Sequence, residues 1–189
     1  LKALTGKISL GFNFATDLDS QMSPVLTSLN ALGKVTTDSL KITETENFNK
    51  ITSLVGIGSS SQVSKVLKSV NASFAVKDGK VQITPFPVKI GDLNMMVGGQ
   101  QGLDQVADFH IDVAIPTKQL AGKANDLMAQ IGLPATSASM VNVGIAVECT
   151  VSNPTFKLTK TQYMEHKGVA EQSGEQINSL VKDKTNELL

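Results

Sequence analysis

Apolar and polar residues alternate along most of this chain. Successive side chains of a β-strand point to opposite faces, so this alternation predicts strands with one buried face. The first such run, Lys7 to Phe14, is followed by similar runs in the middle and the later part of the sequence. The apolar positions of these runs, which are the candidate lining of a groove or core, are Ile8, Leu10, Phe12, Phe14, Phe74, Val76, Val81, Ile83, Phe109, Ile111, Val113, Ile115, Val143, Ile145 and Val147.

Turn residues between these runs predict hairpin connections. Asp78-Gly79 is the signal of a two-residue β-hairpin. Pro85 and Pro87 interrupt the return strand, which indicates a bend or an edge position. Alternating strands joined by hairpins are typical of an antiparallel sheet, whereas parallel sheets have continuously apolar strands.

Four segments have helical character. Apolar residues recur at helical spacing in 20–29 and in 46–55. Thr117 is placed to cap a helix that runs to about Ile131 and ends at Gly132. Residues from about 161 to 189 predict one or two polar helices with a narrow apolar stripe, which contains Ile177, Leu180, Val181 and Leu188.

These elements together predict an α+β fold. We expect a long, strongly twisted antiparallel sheet, shaped as a half-barrel or groove, with amphipathic helices packed on or across its apolar face. The sheet domain is assigned to residues 1–158. Residues 159–189 form a C-terminal polar and amphipathic helical extension.

Charge and composition argue against nucleic-acid binding. The chain has 17 basic and 17 acidic residues, and every basic residue is Lys. Arg supplies the planar fork that contacts phosphate and guanine bidentately, and a basic surface is the usual electrostatic signature of such proteins. We therefore expect no nucleic-acid partner.

Polar side chains offer few candidates for catalysis. Cys149, the single cysteine, follows the apolar parity of its strand and is expected to be a buried, inert thiol. Asp108, His110 and Asp112 share one face of a strand, about 7 Å apart. They could hold a metal weakly, but a solvated outer face is the preferred interpretation. The familiar catalytic motifs are absent from the sequence, so we expect no enzyme activity, catalytic residue, metal or cofactor.

The apolar strand positions outnumber those of the helices that could cover them. One interpretation is an ordinary core in which the helices cover the sheet fully. The other is an apolar groove, only partly covered, that receives acyl chains or a protein partner. The excess of apolar strand positions over apolar helix positions modestly favours the groove.

Several stretches resemble the C-terminal region of AsmA-like proteins, in the form found in Bacteroides-type bacteria. They are residues 93–105 (LNMMVGGQQGLDQ), the strand end 114–116 (AIP), 146–158 (AVECTVSNPTFKL), the opening 4–10 (LTGKISL) and the hairpin 77–81 (KDGKV). The resemblance covers about residues 4–158. The chain departs from the family pattern at Cys149-Thr150, where the family commonly has Gly-Thr.

The resemblance implies a non-catalytic module of the Gram-negative cell envelope. AsmA-like proteins are anchored in the inner membrane by an N-terminal helix, with their body in the periplasm. They are linked to outer-membrane assembly, to phospholipid transport between membranes and to regulation of protein targeting to the membrane. Expected partners are phospholipid acyl chains in the groove and an envelope protein at the C-terminal helix. Because the chain starts at Leu1, we expect an excised piece whose membrane anchor is missing.

Overall fold

A computed structural model describes residues 4–42, 46–56, 66–90, 93–120, 122–135, 137–150 and 153–164. In these ranges nine strands form one antiparallel sheet, accompanied by two α-helices and two short 3-10 helices at Leu26–Ser28 and Thr117–Leu120. The strands are β1 (Leu4–Gly6), β2 (Ser9–Ala15), β3 (Asn30–Ile42), β4 (Val66–Lys77), β5 (Lys80–Ile90), β6 (Leu93–Gly102), β7 (Val106–Pro116), β8 (Met140–Thr150) and β9 (Asn153–Thr159). The helices are α1 (Glu46–Leu54) and α2 (Ala124–Gln130).

From β3 to β9 each strand pairs with the next strand along the chain, so this part of the sheet is a meander. β1 and β2 both pair with β3 and lie end to end along the edge of β3 that is opposite β4. The register slips by one residue between them, where the Thr37 hydroxyl donates to the carbonyl oxygen of Lys7 (2.6 Å). The mostly antiparallel sheet with short helices is consistent with the predicted α+β class.

The predicted hairpin and bend are confirmed. Asp78 and Gly79 join β4 to β5 and have φ angles of 51° and 71°, the left-handed region required by a type I′ turn. Between Ile83 and Phe86 the β5–β6 register shifts, so that Thr84 and Pro85 of β5 lie opposite the single residue Gly98 of β6. A proline has no backbone N–H to donate, so a bulge is a position that tolerates it.

The helix predicted over 46–55 is confirmed by α1, but the helix predicted over 20–29 is wrong. A turn forms there instead, in which a carboxylate oxygen of Asp19 accepts hydrogen bonds from the backbone of Gln21 and Ser23. Pro24 follows, and a proline inside a helix removes a hydrogen bond and clashes with the preceding turn. These local alternatives leave only the short 3-10 turn at Leu26–Ser28.

The helix predicted from Thr117 to Ile131 is divided in two. A 3-10 helix covers Thr117–Leu120 and α2 begins at Ala124, with Gly122 at φ +85° between them. Thr117 does not cap a helix, because its hydroxyl donates to the carbonyl oxygen of Ala138 (2.6 Å). Its apolar residues Leu120, Ala124, Leu127, Met128 and Ile131 are nevertheless buried, and Gly132 adopts φ +69° just after the helix.

The hydrophobic core lies at the β6–β8 end of the sheet. Both α2 and the preceding 3-10 helix pack on β7 and β8, and α1 contributes Val55 from just past its end. Four of the candidate positions, Val113, Ile115, Val143 and Ile145, are at most 2% exposed within this core. The helices therefore cover this end of the sheet.

Among the described residues, no helix has the length and apolar character needed to cross a membrane. The predicted C-terminal helices fall mostly on residues 165–189, which lie outside the described residues.

Candidate functional site

The strand register places the candidate apolar positions on one face, which we call the inner face. Residues directly opposite each other in an antiparallel pair point to the same side of the sheet. One row of such partners crosses the whole sheet: Phe12, Gly33, Phe74, Ile83, Gly99, Phe109, Val147 and Phe156. Parallel rows contain the other candidates, and Ile8 precedes β2 in the same alternation.

Exposure differs between the two ends of the inner face. At the β7–β8 end the side chains are enclosed in the core. Phe74, Val81, Ile83, Phe109, Ile111 and Val147 are half-buried, and Val76 is buried. At the β2 end the exposed fractions are large: Ile8 49%, Leu10 56%, Phe12 52% and Phe14 63%.

Aromatic rings lie close to the backbone at this exposed end. A Cβ on Gly33 would come within 2.6 Å of the Phe74 ring, so that ring lies against the glycine and covers it. The Phe12 and Phe14 rings are neighbours, with centroids 5.8 Å apart. Beside Phe14, the ends of β2, β3 and β4 enclose an open depression of about 610 Å³, with Ala31 and Val76 in its lining.

On the opposite face of the sheet, which we call the outer face, Asp108, His110 and Asp112 were predicted to be solvated. This prediction is wrong for two of the three. Asp108 is exposed, but His110 and Asp112 are 4% and 0% exposed. The cover comes from the segment 160–164, which we call the strap. After β9 the strap turns back over the outer face of the sheet.

The Asp112 carboxylate fixes the strap. It accepts backbone hydrogen bonds from Gln162 (3.1 Å), Tyr163 (2.5 Å) and Met164 (2.7 Å). Its Oδ1 atom also lies 2.8 Å from Nε2 of His110. A buried carboxylate is stable only when its oxygens are hydrogen-bonded, and here three successive N–H groups and an imidazole supply the donors.

Two glycines make room for this crossing. Gly144 pairs with Asp112 in the ladder, and a Cβ there would lie 2.6 Å from Nε2 of His110 and would collide with the carbonyl oxygen of Lys160. Gly98 pairs with His110, and a Cβ there would meet the Tyr163 hydroxyl at 2.9 Å. The strap thus passes over β8 and β6 at positions without a side chain, and over β7 at Asp112 and the His110 ring.

Tyr163 completes the cluster on the outer face. Its ring meets the His110 imidazole edge to face, with centroids 5.7 Å apart. Burial raises the pKa of the Tyr163 phenol, and the nearby carboxylates of Asp112 and Asp108 raise this pKa further. Both causes favour the neutral phenol in the folded protein.

The expectation of a buried thiol at Cys149 is also wrong. Cys149 has φ +78°, which interrupts the alternation near the end of β8, and the residue is exposed. Its sulfur lies 3.5 Å from the Thr155 hydroxyl on β9.

The described residues bring together the inner-face candidates, but they do not assemble a metal centre. No group of three or more His, Cys, Asp or Glu side chains in the described ranges is arranged to hold a metal ion. Sequence reasoning missed the anchoring role of Asp112. The available signal was the pair of glycines on the neighbouring strands, beside a His and an Asp that share a face.

Comparison of the chain with protein-family models, with curated proteins and with solved structures finds no significant match.

Proposed function

We propose that this chain is a non-catalytic lipid-handling module whose inner face receives acyl chains at its β2–β4 end. The observation that carries the proposal is the exposure of Ile8, Leu10, Phe12 and Phe14, which are 49–63% exposed on the face that elsewhere forms the core. A contiguous exposed apolar surface is typical of a site that binds a partner, a membrane or an apolar ligand. The sheet would then act as a groove with one covered and one open end.

The position of the helices supports this proposal. The helices α1 and α2 and the 3-10 helix at Thr117–Leu120 pack against β6, β7, β8 and β9. β2 is exposed along its full length, and its only partner strand among the described residues is β3. An acyl chain lying across this end would remove apolar side chains from water, and each buried methylene contributes about 0.8 kcal/mol.

The wider setting is proposed from the resemblance to AsmA-like proteins. In this proposal the module belongs to an inner-membrane-anchored protein, with its sheet on the periplasmic side. It takes part in outer-membrane assembly, in phospholipid transport between membranes and in regulation of protein targeting to the membrane.

The experiment is a lipid-uptake measurement with matched variants. The purified chain is mixed with fluorescent phospholipid, and fatty acids of increasing length then compete for the site. We expect affinity to rise with chain length, because each added methylene leaves water. Leu10→Asp on the inner face should lower uptake about tenfold, since a charge opposes apolar contact.

Val106→Asp is the matched control. Val106 is 52% exposed, close to the 56% of Leu10, but it lies on β7 in the same alternation as Asp108 and therefore points to the outer face. Its substitution should leave lipid uptake unchanged. An equal loss of lipid uptake in both variants, or no lipid uptake by the original chain, would contradict the proposal. Val113→Asp and Ile145→Asp are unsuitable tests because both side chains lie in the core.

The second candidate is a structural or protein-interaction module for envelope assembly, which captures its partner through residues 159–189. The specific observation in its favour is the Asp112 anchor, which fixes the start of this extension on the outer face. Removing residues 165–189 leaves the anchored strap intact and should abolish partner capture if this candidate is correct. An unchanged set of cross-linked envelope proteins would reject it.

A further inference from the structure

β2 presents an unprotected edge of the sheet. Its seven residues, SLGFNFA, include no charged residue and no proline, and they pair only with β3 among the described strands. The backbone groups on the far side of β2 therefore point away from the sheet. Edge strands of soluble proteins usually carry charges, prolines or bulges that prevent pairing with another strand.

The opposite edge of the sheet has such protection. β9 contains Pro154, which has no N–H to donate. It also carries Lys157, whose ammonium lies 2.8 Å from the Glu148 carboxylate. The contrast between the two edges indicates that β2, and not β9, is built to accept another strand.

We propose that β2 pairs antiparallel with β2 of a second copy of this chain, about a two-fold axis at Phe12. Such an axis is perpendicular to the sheet, so both inner faces stay on the same side. Phe12 then lies opposite itself, Leu10 opposite Phe14, and Ser9 opposite Ala15. All seven residues of β2 are paired in this register and in no other symmetric one.

Charges at the ends of β2 complement each other in this register. Lys7 precedes β2 by two residues and Asp17 follows it by two residues, and both are exposed. Lys7 of each copy therefore lies opposite Asp17 of the other copy. The dimer contains two such pairs, which favour the antiparallel arrangement and fix its register.

The pairing also joins the exposed apolar side chains of the two copies. The Phe12 and Phe14 rings are already neighbours within one chain. Across the axis they meet the corresponding Phe12 and the Leu10 side chain. The inner faces of the two copies thus form one continuous surface. The pairing uses the strand edge, so it does not depend on the proposed lipid binding.

The test is the mass of the 189-residue chain in lipid-free buffer, measured by sedimentation equilibrium. We expect a dimer with twice the 20.0 kDa of one chain. Phe12→Lys places two ammonium groups at the axis and should raise the dissociation constant at least tenfold. Leu32 has the same exposed fraction as Phe12, 52%, but its side chain points to the outer face. The Leu32→Lys variant should therefore remain a dimer. Circular dichroism checks that both variants are folded.

Charge exchange tests the register. Lys7→Glu and Asp17→Lys should each raise the dissociation constant about tenfold, and the double variant should restore dimerisation. In a Cys149→Ser background, Phe12→Cys should form an intermolecular disulfide readily, whereas Leu10→Cys should form one only when Phe14→Cys is also present.

Three results would overturn the proposal: a monomer at concentrations up to about 0.1 mM, assemblies larger than a dimer, or a double charge variant that is not rescued. Lipid uptake by a chain that remains monomeric would leave the lipid proposal standing and reject only the dimer. A chain that forms the dimer but takes up no lipid would leave the dimer proposal standing and reject only the lipid proposal.

Discussion

Asp112 and Gly144 lie directly opposite each other on β7 and β8, and the missing side chain of Gly144 lets the strap reach the Asp112 carboxylate. The two residues have complementary roles in holding the strap. Gly144 provides the space for the backbone at Lys160, and Asp112 provides the acceptor for the N–H groups that follow. A local pair in the sheet thereby fixes a segment about 50 residues later in the chain.

The first prediction concerns Gly144→Ala. The added methyl group would collide with the Lys160 carbonyl and the His110 ring, so the strap must move. We expect a loss of about 2 kcal/mol in the free energy of unfolding. Urea unfolding measures this loss, and Tyr163 fluorescence reports the strap directly because the chain has one Tyr and no Trp.

Gly11→Ala is the control for this substitution. Nothing lies within 4 Å of the position that its Cβ would occupy. Stability should change by no more than about 0.5 kcal/mol, with unchanged Tyr163 fluorescence. Equal effects of the two alanines would contradict the packing of the strap against Gly144.

The second prediction concerns Asp112→Asn. The amide retains one acceptor oxygen, but its NH₂ group would face N–H donors of the strap. We expect the free energy of unfolding to fall by about 3 kcal/mol, since a buried anion with several hydrogen bonds is replaced by a poorly matched group. Asp108→Asn, on the same strand face but exposed, should have little effect. Equal stability of the two variants would argue against the anchor.

The third prediction concerns alkaline pH. The pKa of Tyr163 is raised in the folded state, mainly by burial and also by Asp112 and Asp108. The folded protein therefore keeps the phenolic proton at pH values where the unfolded chain has lost it. This contribution to stability is fully present below the unfolded pKa of about 10 and is lost as pH rises through the folded value.

Tyr163→Phe isolates this contribution. It keeps the ring against His110 but removes the titrating group, so its stability should decline less steeply above about pH 10. The difference in urea midpoint between the two proteins measures the effect. Phenolate absorbance of the original chain gives the folded pKa, and a value at or below that of free tyrosine would contradict the prediction.

The fourth prediction separates the two ends of the inner face. Ile145→Ala creates a cavity in the core and should cost about 3 kcal/mol of stability. Leu10→Ala removes a side chain that is exposed in the single chain and, at protein concentrations where the chain is monomeric, should change stability by no more than about 0.5 kcal/mol. Denaturant unfolding measures both values. A comparable cost at Leu10 would mean that the β2 end is covered in solution.

The sequence predicted the strands, the Asp78-Gly79 turn and the face that each apolar position shares, because these follow from the geometry of a few neighbouring residues. The failed helix at 20–29 shows the limit of periodicity alone. There, hydrogen bonds to the Asp19 side chain and the restriction imposed by Pro24 compete with the helix, and they determine the local structure.

Burial was decided by the tertiary structure. Nothing near His110 or Asp112 in the sequence distinguishes them from the exposed Asp108, because their cover arrives from a distant segment. The same applies to the inner face, where Leu10 and Ile145 have the same alternation but opposite exposure. Alternation fixes the side of the sheet to which a residue points, whereas only long-range packing decides whether anything lies on that side.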